Sequence, residues 1–210
     1  MLISAPDREL YRWRQLTPEQ RAAVLDERKR LQRPWHSPPH YASDTGLYMM
    51  TAACYEHRHV IGSSPARMAD FEMRLLDALH ERCEFVFAWN VLPNHYHAVV
   101  RSANVKALLT KLGRLHGRTS HTWNGEDGCR GRQNWFNAAE TAIKSERHFW
   151  ATMNYVLNNA VHHGYASTWQ EWPYSNAAEF LAEVGRAKAE RRWREYPVLD
   201  YGKEWDPPEL

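Results

Sequence analysis

The stretch Glu84-Phe85-Val86-Phe87-Ala88-Trp89-Asn90-Val91-Leu92-Pro93-Asn94-His95-Tyr96-His97-Ala98-Val99-Val100-Arg101 decides how this chain folds. Its first half alternates, with Phe85, Phe87, Trp89 and Val91 expected on one face of a strand. Pro93-Asn94 is a turn signal, and His95 to Arg101 reads as the returning antiparallel strand of a hairpin. Residues two apart in a strand point to the same side, so His95 and His97 share a face while Tyr96 and Ala98 point away. Two imidazoles side by side offer either a hydrogen-bonded surface or core histidine pair or a bidentate seat for a divalent ion, which then needs a further protein donor from elsewhere in the fold.

Working outward, Leu47 to Cys54 reads as a buried strand and Pro65 to Arg82 as an amphipathic helix with Met68, Phe71, Leu75, Leu76 and Leu79 on one side. Val105 to Thr122 carries Leu108, Leu109, Leu112 and Leu115 at helical spacing, with Lys106, Lys111, Arg114 and Arg118 elsewhere around it. Asn124 to Gly131, with its glycines, reads as a loop, and Gln133 to Ala139 as a short strand containing Trp135 and Phe136. A helix follows from a Ser145 cap to His163 and stops at Gly164. The order strand, helix, strand, strand, helix, strand, helix predicts an α+β domain with helices packed on an antiparallel sheet.

The flanks read differently. Thr17-Pro18-Glu19 starts a short basic helix over residues 16–33. Pro34-Trp35-His36-Ser37-Pro38-Pro39-His40 forms an extended, polyproline-like arm anchored by Trp35. After Trp172-Pro173-Tyr174-Ser175 one helix is expected over residues 176–194, then an irregular tail over 196–210, rich in aromatics and acids.

Within the helix after Ser145, at roughly 100° per residue, His148, Thr152, Tyr155, Asn159 and His162 fall along one stripe, and Phe149, Met153, Val156, Leu157 and Ala160 along another. The second stripe should meet the core. The first places a phenol and an amide one turn apart.

With 43% hydrophobic and 25% charged residues in a chain of 210, the composition is that of a globular protein large enough for its own core. Cys54, Cys83 and Cys129 are odd in number and follow no paired spacing, so neither a disulfide framework nor a zinc knuckle is indicated. No apolar stretch spans a bilayer and Met1 to Arg14 lacks a signal core, which predicts a cytoplasmic protein without a membrane partner. The net charge of +2 hides basic islands at residues 1–33, 101–132 and 186–194. Such islands can track phosphates, and ten tryptophans offer surfaces for bases to stack on.

Leu92-Pro93-Asn94-His95-Tyr96-His97, followed after a basic helix by Tyr155-Val156-Leu157-Asn158-Asn159-Ala160-Val161, resembles the HUH-type single-tyrosine transposases, and most of all the REP-associated tyrosine transposases. The resemblance runs from about Leu47 to Leu181 and includes Trp172-Pro173-Tyr174-Ser175. It implies a ferredoxin-like, HUH endonuclease-like domain over residues 46–182, between an N-terminal helical arm (1–45) and a C-terminal extension (183–210). His95 and His97 match the pair that binds Mg²⁺ or Mn²⁺, Tyr155 matches the nucleophile, and Asn159 stands where a polar side chain completes the metal site. The family has Asn-Pro where this chain has Asn159-Ala160, and the adjacent Asn158 leaves the third ligand open.

The implied activity is cleavage and rejoining of single-stranded or hairpin DNA through a 5′-phosphotyrosine. Lys106, Lys111, Arg114, Arg118, Arg130 and Arg132 are the candidate phosphate contacts, Trp123 and Trp135 candidate stacking residues, and His148 and His162 candidate helpers of the phenol. The N-terminal arm and Arg186 to Arg194 are candidates for hairpin recognition. The C-terminal segment favours a monomer, with a dimer left open. Two alternatives stand beside this reading: a catalytically silent DNA-hairpin-binding protein, and a metal-dependent hydrolase in which His95 and His97 activate water.

Overall fold

A computed structural model describes residues 46–199 and, near the N-terminus, Thr17, Glu19, Gln20 and Ala23. The basic helix beyond its first turn, the proline-rich arm with Trp35, and residues 200–210 of the tail lie outside the described residues. At the helix start, Thr17 Oγ1 accepts from the Gln20 N–H at 3.3 Å and Gln20 Oε1 accepts from the Thr17 N–H at 2.9 Å, a reciprocal cap.

The described residues 46–199 belong to one compact unit. Its elements are β1 (Leu47–Ala53), α1 (Pro65–His80), β2 (Phe85–Val91), β3 (His95–Arg101), α2 (Val105–Glu126), β4 (Ala139–Ala142), α3 (Glu146–His162), α4 (Ala177–Val184) and α5 (Arg186–Glu195). The strands lie in the order β2-β3-β1-β4, all neighbours antiparallel. This is the α+β, ferredoxin-like arrangement.

Strand alternation divides the apolar residues between two cores. On one face Tyr48, Met50, Ala52, Tyr96, Ala98 and Val100 pack against Phe71, Leu75 and Leu79 of α1 and Leu108, Leu112 and Leu115 of α2. On the other, Met49, Ala88 and Val99 meet Met153, Val156 and Leu157 of α3, with Ala177, Phe180 and Ala189 of α4 and α5 packed behind. Side-chain caps start the three long helices: Ser64 on α1, Asn104 on α2 and Ser145 on α3. Gly164, at φ 73°, ends α3, with the Tyr165 N–H on the Ala160 carbonyl at 2.8 Å.

Four expectations need correction. A bulge between Val86 and Ala88 shifts the register of β2, so Phe87 turns to the α3 side while Trp89 and Val91 face α1. The strand expected over 133–139 forms instead at Ala139–Ala142, because Trp135 makes only an isolated bridge to Cys54. The helix expected over 176–194 breaks in two at Gly185, whose φ of 79° is left-handed. Finally, α2 runs on through Asn124 to Glu126, shortening the following loop.

The segment after α3 runs along β2, the outer strand. The Val91 N–H donates to the Tyr174 carbonyl and the Trp172 indole N–H to the Val91 carbonyl, both at 2.9 Å. Asn176 accepts from the Trp89 N–H and donates to the Phe87 carbonyl, both at 3.0 Å. Its amide thereby satisfies backbone groups on the outer side of this edge strand.

Candidate active site

The turn that delivers the histidines is clamped on three sides. The Cys54 N–H donates to the Asn94 carbonyl at 2.6 Å, the Gly62 N–H to the Pro93 carbonyl at 2.9 Å, and Asn94 Nδ2 to the His57 carbonyl at 3.2 Å. Gly62 is required for this approach: a Cβ there would lie 2.4 Å from Pro93 Cβ. Glu56 and His57, at φ 62° and 49°, hold left-handed conformations that non-glycine residues adopt only at a cost. That loop is anchored in turn, with the Tyr55 N–H on the Asn134 carbonyl at 2.8 Å.

From this turn His95 and His97 enter the layer between the sheet and α3, each 1% exposed, with ring centres 5.1 Å apart. Tyr155 lies against His97, ring centres 5.2 Å apart and planes at 64°, and is itself 4% exposed. Asn159, one turn further along α3, places Oδ1 2.9 Å from His95 Nε2. The predicted polar stripe of α3 is therefore buried: Thr152, Tyr155 and Asn159 face the sheet, and only His162, at its end, is exposed. Asn158 turns aside, donating to the Asn154 carbonyl at 3.1 Å.

The hydrogen-bond roles around His95 are constrained. Because Asn94 Nδ2 is committed to the His57 carbonyl, Asn94 Oδ1 must accept from His95 Nδ1 at 2.7 Å. The lone pair then sits on Nε2, facing a second acceptor, Asn159 Oδ1. That pairing is favourable with an extra proton on His95, with the Asn159 amide reversed, or with a cation held by both lone pairs. Asn159 Nδ2 is buried without a hydrogen-bond partner, so the amide as placed leaves one polar group unsatisfied. The donor set of two imidazoles and an amide thus fits a divalent ion. Among the described residues no trio of His, Cys, Asp and Glu forms a metal group.

Other candidates stand apart from this cleft. His148 is two turns from Tyr155 and its Nδ1 accepts from the Lys144 N–H at 3.3 Å; burial, then Lys144, lowers its pKa. The α2 residues Lys106, Arg114 and Arg118 are exposed, on a helix packed on the opposite face of the sheet from the histidines. Lys111 pairs with Glu81. Arg130 donates to the His121 carbonyl at 2.9 Å, and Arg132 bonds Asp127 at 2.6 Å. Asp127 also holds Arg67 at 2.6 Å, and these guanidinium groups, Arg67 first, depress its pKa to about 2. Trp123 and Trp135 are buried at 2% and 7%; Trp135 stacks on His116 at 4.2 Å, so neither ring is open to a base.

Sequence reasoning passed over two further neighbours. Asn94 looks like a turn former in the sequence, although in the fold its Oδ1 holds His95 Nδ1 at 2.7 Å. His163 caps α3 with its ring centre 4.9 Å from His95, closer to the site than the predicted His162. Ideal helical spacing cannot place a residue at the helix end, where the backbone leaves the helix.

No family model matches this chain, and no curated protein does. Among solved structures it is similar to a REP-associated tyrosine transposase bound to a REP hairpin, at 17% identity and a TM-score of 0.53, over 80% of this chain and 90% of that one. At that identity the likeness is one of fold. No helix among the described residues is long and apolar enough to cross a membrane.

Proposed function

We propose that this protein nicks and rejoins single-stranded or hairpin DNA as a transposase does, with Tyr155 as nucleophile and His95, His97 and Asn159 holding Mg²⁺ or Mn²⁺. The observation that carries the reading is the convergence, in one buried layer, of Tyr155 on His97 and of Asn159 Oδ1 on His95 Nε2 at 2.9 Å. The fold it shares with the hairpin-bound transposase supports it.

When bound, the ion supplies positive charge that polarises the scissile phosphate and offsets charge developing on it. The chain's own groups do the rest. Asn94 sets the His95 tautomer. Tyr155 Oη forms a bond to phosphorus as the bond to the 3′-oxygen breaks; the phenol proton leaves to solvent and the 3′-oxygen takes one up. A 3′-hydroxyl from another strand reverses the exchange and restores the phenol, with no nucleotide consumed. Tyr155 is 4% exposed, so substrate engagement has to uncover it. On this reading Lys106, Arg114 and Arg118 contact phosphates away from the cleaved bond.

The test is to incubate the protein with an end-labelled DNA hairpin and Mn²⁺ and look for an adduct that survives denaturation. Wild type should form it and Tyr155→Phe should not. Cleavage without an adduct, tolerant of Tyr155→Phe, would establish the hydrolase alternative instead. Salt-sensitive binding with neither product would leave a silent binding protein.

A further inference from the structure

Asn90 stands out among the buried polar residues. It is fully buried, sits directly across from His97 in the β2–β3 register, and donates through Nδ2 to the Val156 carbonyl of α3 at 2.9 Å. Its Oδ1 is buried without a hydrogen-bond partner. Val156 is the residue after Tyr155, and Asn90 and His97 are cross-strand neighbours, whose Cβ atoms stand about 4.5–5.5 Å apart. One side chain therefore ties the backbone of the Tyr155 helix to the strand position beside His97.

Packing does not call for an amide here. Ala88, Val99, Val156 and Leu157 belong to the apolar core of this layer, beside the buried polar His97 and Asn159. A buried acceptor left open lowers stability, whereas an aliphatic side chain of similar size carries no such cost. The residue accepts an unsatisfied atom in exchange for a directional bond to one point on α3, the point next to Tyr155.

We propose that Asn90 is a positioning residue, which acts through α3 to set the Tyr155 ring against His97. This rests on the function proposed above. The bulge between Val86 and Ala88 has a part in it, because a one-residue shift decides which side chains of β2 reach the α3 face.

The experiment uses the full chain with Asn90→Leu and Asn90→Val, neither of which has a donor for the Val156 carbonyl. Four quantities are read: melting temperature, affinity for the labelled hairpin in Ca²⁺, single-turnover adduct formation in Mn²⁺, and the Tyr155–His97 spacing in a crystal structure. Asn90→Leu should melt no lower than wild type and bind DNA equally well. Its adduct rate should fall by about tenfold or more, as expected for an interaction that matters in the reacting geometry. Its Tyr155 ring should be displaced from the 5.2 Å arrangement. Asn90→Val should lose rate as well. A merely structural role predicts the reverse for Asn90→Leu, a lower melting temperature with an unchanged rate per folded molecule, and that result overturns the proposal. Should wild type form no adduct, the proposed function fails, and the spacing alone then decides: an unmoved Tyr155 in Asn90→Leu overturns the inference and a displaced one supports it.

Discussion

Asn94 Oδ1 lies 2.7 Å from His95 Nδ1 while the other end of the same amide is bound to the His57 carbonyl. Reversing the amide would set its oxygen against the His57 carbonyl oxygen and lose that bond, so the imidazole keeps its proton on Nδ1 and presents Nε2 toward α3. Outer partners of this kind set both ring orientation and basicity of a ligating histidine. Asn94→Ala should therefore weaken Mn²⁺ binding by about 10–100-fold. Electron paramagnetic resonance of free Mn²⁺ measures this directly, and unchanged affinity would refute the role given to Asn94.

Gly62→Ala tests the clamp on the same turn. The new methyl would meet Pro93 Cβ at 2.4 Å and Cα at 2.8 Å, both part of a turn that cannot yield alone. Overpacking of this sort costs about 1–3 kcal/mol. Denaturant titration should show that loss, with a matching fall in Mn²⁺ affinity as the histidines move. Full stability would mean the turn is less constrained than its hydrogen bonds imply.

His116 gives a pH dependence of known sign. Burial pushes its pKa down to about 3, against an ordinary value of 6.5, and the neutral ring faces Tyr96 Oη at 3.2 Å. The unfolded chain binds a proton near pH 6.5 that the folded chain refuses until near pH 3. This contribution is thus complete above pH 6.5 and is lost as pH falls toward 3. Between pH 7 and pH 5, wild type should lose about 2 kcal/mol more stability than His116→Gln. Parallel losses in the two proteins would contradict the assignment.

The charges on α2 and in the loop after it divide by their partners. Arg114→Ala and Arg118→Ala should each lower the salt dependence of hairpin binding, by about 0.7–0.9 in log–log slope for every phosphate contact removed. Adduct formation at saturating DNA should stay unchanged, since α2 lies across the sheet from His97. Lys111→Ala and Arg132→Ala should leave the slope alone, their charges being paired to Glu81 and Asp127. Equal effects from all four would point to a diffuse field instead of contacts.

What the sequence revealed was what local rules govern. Ser145 and Gly164 bound α3 because capping and left-handed termination are properties of single residues, and His95 with His97 share a face because strand alternation is strict. The α+β class followed from the order of elements, and the ferredoxin-like form from the family resemblance. The bulge in β2 left no comparable mark, since one extra residue flips a face without changing composition, and Asn90 was hidden with it. Gly185 was visible as a glycine, but only its left-handed backbone splits the helix there. Trp123 and Trp135 look like stacking residues in isolation; their burial depends on Phe71, distant in sequence, which lies 5.7 Å from the first ring and 5.1 Å from the second. For the site, spacing marked Tyr155 and Asn159, and the fold brings them to the histidines. Asn94, His163 and Asn90 are meaningful only once β3 and α3 are packed together.

The run from Trp172 to Asn176 has a consequence for crowded solutions. A strand with unfilled hydrogen-bonding groups is a template on which another chain can extend a sheet. Here Tyr174, Trp172 and Asn176 occupy those groups of β2 from within the same molecule. The opposite border, β4, spans only four residues, too few to seed a long ladder. Self-association by strand addition along β2 is closed to the native protein, and fibril formation would have to begin with that run peeling away.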